Sequence, residues 1–237
     1  MREAVGAIIV AAGRSERMGG GDKLLAALAG RPLIAHTIAA IAAAVDELVL
    51  VAADRNRAAL EAIAATIAPS ARVVVGGRRR RDSVTAGLVA LPDCEYVIVH
   101  DGARPLVTAA LVEAALAAAR AFGAATCAVP VSDTVKRGDA EGFVRSTVSR
   151  EGLWLVQTPQ AFRRDLLLRA HATVEGDATD DAALVEQLEA PVRLVPGSAR
   201  NIKITTPADL ALAEALLASS PAPPAGTNAP EQGGPPA

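Results

Sequence analysis

Residues Val5 to Ala12 read VGAIIVAA and run straight into GRSERMGGGDK, Gly13 to Lys23. The first is a continuous apolar strand of the kind buried on both faces of a parallel sheet. The second is a polar, glycine-rich loop carrying Arg17 and Lys23. A strand ending in such a loop sets backbone N–H groups and two cations at the carboxyl edge of the sheet, where open α/β folds bind ligands. The pair reads as a phosphate cradle, but neither common one. A Walker loop places Ser or Thr after its lysine, and here Leu24 follows Lys23; a dinucleotide fingerprint needs G-x-G-x-x-G, and Gly13 is followed by Arg14 and Ser15. Lys23, Lys136 and Lys203 are the only lysines among 24 basic residues, and each falls in a motif-like segment. A compact ammonium is not interchangeable with a guanidinium at a crowded phosphate site.

Outward from this strand, further apolar runs alternate with alanine-rich helical stretches. ELVLVAA (Glu47 to Ala53), RVVVG (Arg72 to Gly76), YVIVH (Tyr96 to His100), ATCAVPV (Ala125 to Val131) and VRLVPG (Val192 to Gly197) read as strands, with helix patterns such as Leu33 to Ala44 and Ala110 to Phe122 between them. This predicts an α/β class protein with a doubly wound parallel sheet covered on both faces. The segment Ser132 to Gln157 breaks the rhythm: it is polar and β-rich, with Gly138 and Gly142 as turn points. A two-stranded excursion needs a partner surface, so it reads as a β-arm on a second subunit or, on pattern alone equally, as a hairpin lid. Thr206 and Pro207 start a final helix ending near Ala218. Beyond it the Pro-, Ala- and Gly-rich residues 219–237 have too little apolar bulk to offset the entropy of ordering, and a disordered tail is expected. Residues 1–218 would then form one domain, with the arm at about 132–157 and no second catalytic domain.

Composition narrows the function. The 237 residues, 51% hydrophobic, suffice for one substantial core. A net charge of -2 and five aromatic residues offer neither a field for polyanions nor a base-stacking platform, which argues against nucleic acid. Cys94 and Cys127 form no C-x-x-C, and His36, His100 and His171 lack metal-ligand spacing, so neither a disulfide framework nor a zinc site is indicated. The N-terminal apolar run is too short to span a membrane and lacks a basic region with a cleavage site, so a soluble cytoplasmic protein is expected.

Several segments follow strand ends and so belong to the ligand edge. GGRRRRDSV (Gly76 to Val84) leaves a strand through two glycines and enters a helix capped by Asp82 or Ser83. HDGARP (His100 to Pro105) places Asp101 and Arg104 at the same edge. DTVK (Asp133 to Lys136), SREGLWLVQTPQ (Ser149 to Gln160), ATDDA (Ala178 to Ala182) and NIKITTP (Asn201 to Pro207) add hydroxyls and charges. Taken singly, each has a plain reading: the arginine run is a solvated turn, Asp101 caps a turn, and Thr179 to Asp181 is an N-cap.

Taken together, their order resembles the 2-C-methyl-D-erythritol 4-phosphate cytidylyltransferase family from Val5 to Ala218: AAG...RM...K, GG....DSV, HD.ARP, P..DT.K, R..LW..QTPQ, TD.A and NIK.T.P.DL.LAE in sequence. The resemblance implies a Rossmann-like, mostly parallel sheet of the nucleotidyltransferase type with a protruding β-arm. It implies that CTP and methylerythritol phosphate are joined with loss of pyrophosphate in the non-mevalonate isoprenoid pathway, with magnesium, in a homodimer with interlocked arms. By motif match, Arg17 and Lys23 stabilise the transition state at the α-phosphate, and Arg150 and Lys203 position the attacking methylerythritol phosphate. Asp101, Arg104, Thr134 and Thr158 line the acceptor pocket; Ala11, Ala12, Gly13, Gly77 and Ser83 receive the cytidine. The chain departs from the family pattern at Asp22 and Leu24, which flank Lys23 where Pro and often Gln are usual. Two other readings stand beside this one: a molybdopterin guanylyltransferase, whose loop resembles GRSERMGGGDK but which lacks the QTPQ and NIK segments, and a non-catalytic nucleotide-binding protein.

Overall fold

The computed structural model describes residues 3–13, 22–176 and 178–219. Along the chain run β1 (Val5–Ala11), a short ribbon of β2 (Ala27–Leu28) and β3 (Arg31–Pro32), α1 (Leu33–Ala42), β4 (Glu47–Ala52), α2 (Arg57–Ile67), β5 (Arg72–Val75), α3 (Arg80–Ala90) and β6 (Tyr96–Asp101). The second half holds α4 (Ala109–Phe122), β7 (Ala124–Pro130), the hairpin β8 (Val135–Gly138) and β9 (Val144–Val148), β10 (Trp154–Arg163), α5 (Arg164–Thr173), α6 (Asp181–Glu186), β11 (Arg193–Pro196) and α7 (Pro207–Ala218). Seven strands form the central sheet in the order β11-β7-β10-β6-β1-β4-β5. Every neighbouring pair is parallel except those made by β10, which runs antiparallel to both β6 and β7.

Alternation along each strand builds two cores. From β1, Ala7, Ile9 and Ala11 join Ile34, Ile38, Leu60, Val112 and Ala213 on one face, while Ile8 joins Val84, Leu88, Leu167 and Val185 on the other. Period-two side-chain direction thus converts one apolar run into the middle of a three-layer sandwich. Helix α3 lies close to the sheet at Gly87, where a Cβ would stand 2.6 Å from Ile8 Cγ2. Helix α7 begins as expected: Thr206 accepts the Asp209 N–H at 3.3 Å, and Asp209 accepts that of Thr206 at 2.8 Å. Among the described residues no helix is long and apolar enough to cross a membrane.

The strands expected from the sequence are present, but β10 is an addition to them. WLVQTPQAFR contains Pro159, and a proline inside a run argues against a central strand. The sheet accommodates it with a register shift between Val156 and Gln160, so that Gln157 to Pro159 leave the ladder with β7. This also corrects the arm. Strands β8 and β9 pair only with each other, whereas from Trp154 the chain belongs to the central sheet, short of the expected boundary at Gln157. A second correction concerns α3. Arg79, not Asp82 or Ser83, occupies the N-cap position; Asp82 stands in the first turn and its carboxylate accepts the Arg79 N–H at 3.2 Å.

Candidate active site

The carboxyl ends of β1, β4, β5 and β6 open onto a cleft of about 560 Å³. Ala11, Ala12, Gly13, Gly77 and Ser83 all line it, together with Lys23, Arg78, Asp101 and Lys203. At Gly77 the wall is backbone because a side chain is excluded: a Cβ there would lie 2.2 Å from the Asp82 Cβ. The first turn of α3 faces the cleft, and its positive dipole end favours an anion there. Ser83 is buried and its hydroxyl donates to the Arg79 carbonyl at 3.2 Å, so it braces the turn from within. Arg17 lies outside the described residues.

Lys23 opens a 3-10 turn, Lys23–Leu25, and its Nζ donates to the Ile204 carbonyl at 2.9 Å. The flanking residues explain themselves. Asp22 caps the turn by accepting the Leu24 N–H at 3.0 Å, and Leu24 is buried in the core.

Asp101, at the end of β6, is the centre of charge. Its Oδ1 lies 2.5 Å from Arg80, and its Oδ2 lies 2.8 Å from Lys203 Nζ and 3.7 Å from Arg104 Nε. Burial alone would raise this carboxyl, but Arg80, Lys203 and Arg104 together outweigh it and hold it well below the usual carboxylate range. Arg80 also reaches Asp181 at 3.3 Å; burial would lower its guanidinium, and the two carboxylates raise it instead. Arg80, Asp101 and Lys203 form the common wall of the first cleft and a second one of about 400 Å³, which Arg104, Gln157, Thr158, Gln160 and Asp180 also line.

Arg104 is held by the Asn201 carbonyl at 2.7 Å, and burial lowers its guanidinium against the pull of Asp101. Thr158 lines the second cleft, yet its hydroxyl serves the framework. It accepts the Asp101 N–H at 3.0 Å, so its own proton points to His100 Nδ1 at 3.0 Å, and His100 Nε2–H donates to the Arg104 carbonyl at 3.2 Å. This chain fixes a neutral His100, and burial pushes its pKa down to about 4 from 6.5. Because the folded value is depressed, the stabilisation is fully present above pH 6.5 and is lost as pH falls towards 4, where the unfolded chain binds a proton that the folded one refuses. The expected cost is roughly 3 kcal/mol at the acid end. Urea unfolding of wild type and His100→Gln at neutral and acid pH checks it; equal pH dependence in the two proteins would refute it.

Thr134 and Arg150 do not line either cleft. Both are exposed at the base of the arm, where the Arg150 guanidinium donates to the Ser132 carbonyl. Sequence reasoning missed Arg80, Asp181 and Gln160. The arginine run is no solvated turn: Arg79 pairs with Asp82 at 2.7 Å, Arg80 is inside the site, and Arg81 donates to the carbonyls of His171 and Gly176 at 2.7 and 2.9 Å. In TDDA, Asp180 is indeed the N-cap of α6, and it also accepts from Gln160 at 2.7 Å.

Comparisons with known proteins agree with this fold. Residues 5–219 match the family model for 2-C-methyl-D-erythritol 4-phosphate cytidylyltransferase. The enzyme of that name from Dehalococcoides mccartyi is 46% identical over 221 residues, covering 92% of this chain and 97% of its own. The one from Pelotomaculum thermopropionicum is 50% identical over 223 residues, covering 90% and 94%. Among solved structures, the 4-diphosphocytidyl-2C-methyl-D-erythritol synthase of Anaerococcus prevotii superposes with a TM-score of 0.80 at 32% identity, covering 91% of this chain and 99% of that one. The cytidylyltransferase of Thermus thermophilus gives 0.76 at 36%, covering 92% and 100%. The order of motifs, the sheet and these relatives converge, and the chain belongs to the 2-C-methyl-D-erythritol 4-phosphate cytidylyltransferase family.

Proposed function

We propose that this chain transfers CMP from CTP to 2-C-methyl-D-erythritol 4-phosphate, releasing pyrophosphate. The observation that carries the reading is the wall of Arg80, Asp101 and Lys203 shared by two adjoining clefts, in a chain of this family. The first cleft takes the nucleotide and the second the acceptor phosphate. An oxygen of the acceptor phosphate attacks the α-phosphorus as the bond to the β-phosphate oxygen breaks. A phosphate monoester has its second pKa near 6 and is largely dianionic at neutral pH, so the attack needs no general base. Charge neutralisation and positioning carry the catalysis. We assign Lys23, with Arg17, to the α-phosphate and Lys203, with Arg150, to the acceptor. Asp101 keeps Arg80 and Lys203 aimed before either substrate arrives, which is electrostatic preorganisation.

No cluster of three His, Cys, Asp or Glu side chains occurs among the described residues, and both oxygens of Asp101 are taken by cations. The residues present do not fit a protein-built magnesium cage. In this reading magnesium would come with the triphosphate and would neutralise part of its charge. A cytoplasmic site of action is part of the proposal, since both substrates are charged and cross no bilayer unaided.

A homodimer is proposed as well. Phe143, Val144, Leu153, Trp154, Leu155 and Val156 are exposed along the arm and the start of β10, an apolar run suited to a second copy. Thr134 and Arg150 sit in that region, so a partner's arm would bring them to the acceptor cleft.

Pyrophosphate release with CTP or GTP, with and without methylerythritol phosphate, tests the reading. Release with CTP only when the acceptor is present is expected. Turnover with GTP instead supports the guanylyltransferase alternative, and no turnover with either supports a non-catalytic protein. Arg150→Gln is expected to raise KM for the acceptor about tenfold or more with CTP affinity near wild type, and Lys203→Ala to do so while also weakening CTP, because it lines both clefts. Unchanged acceptor kinetics in both would remove these assignments.

A further inference from the structure

Asn56, in the 3-10 turn Asp54–Asn56 after β4, is 1% exposed, and its amide makes three hydrogen bonds. Its Oδ1 accepts the Ala53 N–H at 2.9 Å, and its Nδ2 donates to the Ala11 carbonyl at 3.2 Å and to Asp22 Oδ2 at 2.7 Å. One amide therefore ties the ends of β1 and β4 to the residue that precedes Lys23. The second Asp22 oxygen caps the turn that Lys23 opens, and buried Leu24 anchors that turn in the core. Arg55 adds a contact to the Gly13 carbonyl at 2.5 Å and lies 3.8 Å from Asp22, but it is half exposed and its ion pair is weak.

We propose that Asn56 is a positioning residue for Lys23, acting through Asp22. The inference rests on the catalytic role proposed for Lys23. A buried amide with both donors and its oxygen engaged admits one geometry, because each donor left unmade carries a desolvation cost. Misplacement of a catalytic cation by about 1 Å can cost 100-fold in rate. The departure of the chain at Asp22 thereby acquires a purpose: where a proline has no side-chain acceptor, Asp22 offers two oxygens, one for its own turn and one for Asn56.

The test is a pair of double-mutant cycles read by single-turnover CMP transfer, KM for each substrate and the thermal midpoint. Asn56→Asp sets a carboxylate oxygen against Asp22 and is expected to lower kcat about 100-fold with little change in acceptor KM. Adding Asp22→Asn reverses the polarity of the 2.7 Å contact and is expected to recover about tenfold or more of the loss. In a Lys23→Ala background, Asn56→Asp is expected to have no further effect. Wild-type kcat in Asn56→Asp, no rescue by Asp22→Asn, or an undiminished loss in the Lys23→Ala background each overturns the inference. Should Asn56→Asp fail to fold, Asn56→Ala is read against Lys23→Ala in the same way. Lys23→Ala at the wild-type rate overturns the role given to Lys23 and the inference with it, an outcome distinct from failure of the Asp22 rescue.

Discussion

Replacement of Lys23 by alanine is expected to lower kcat by about 100- to 1,000-fold, some 3–4 kcal/mol of barrier, while CTP affinity stays within a few-fold of wild type. The asymmetry follows from where the ammonium stands. It is carried on a capped turn at the mouth of β1, with one of its three donors on the Ile204 carbonyl. On the proposed assignment its charge would matter most when negative charge grows at the α-phosphate, whereas ground-state binding would be spread over the backbone of Ala11 to Gly13 and the first turn of α3, which line the cleft. Rapid-quench CMP transfer set beside CTP titration measures the two separately. Equal losses in affinity and turnover would mean that Lys23 supplies uniform binding, and the assignment to the α-phosphate would fall.

Deletion of Arg137 to Arg145 is expected to leave a folded, CTP-binding protein that is monomeric and almost inactive. The segment comprises half of β8, the turn at Gly142 and the start of β9. It makes no pairing with the central sheet, so its loss costs the core little. It removes the tip that would grip a second copy. Light scattering gives the mass and pyrophosphate release the activity. A monomeric variant with full activity would rule out a site shared between subunits, and a wild-type protein that is monomeric at micromolar concentration would rule out the embrace itself.

The parallel half of the fold is legible because each of its strands is a near-continuous apolar run, and burial on both faces demands that composition. Strand β10 is not, since Pro159 and the polar Gln157, Thr158 and Gln160 interrupt it; only the register shift shows how a sheet tolerates them. For the site, position is readable where a residue follows a strand of the sheet, but not for Thr134 and Arg150 on the arm, which line neither cleft. Gly77, Asp101 and Lys203 are placed by the strand ends they follow. Thr158, by contrast, presents the same hydroxyl whether it meets a ligand or, as here, His100 and the backbone of Asp101. Arg80 is hidden among four consecutive arginines, of which Arg79, Arg80 and Arg81 each meet different partners by their place around the start of α3. No local pattern marks Asn56, whose three bonds reach Ala11, Asp22 and Ala53 across the edge of the sheet.

The wall held in common by the two clefts has a thermodynamic consequence. A ligand in either cleft that draws Lys203 or Arg80 away from Asp101 changes the charge presented to the other. The two occupancies are then coupled, and coupling between equilibria is reciprocal: whatever factor the nucleotide imposes on the acceptor's affinity, the acceptor imposes on the nucleotide's. Cooperativity of this kind requires no movement of the sheet and no second conformation of the backbone, only the exchange of one ion pair for another around a single buried carboxylate.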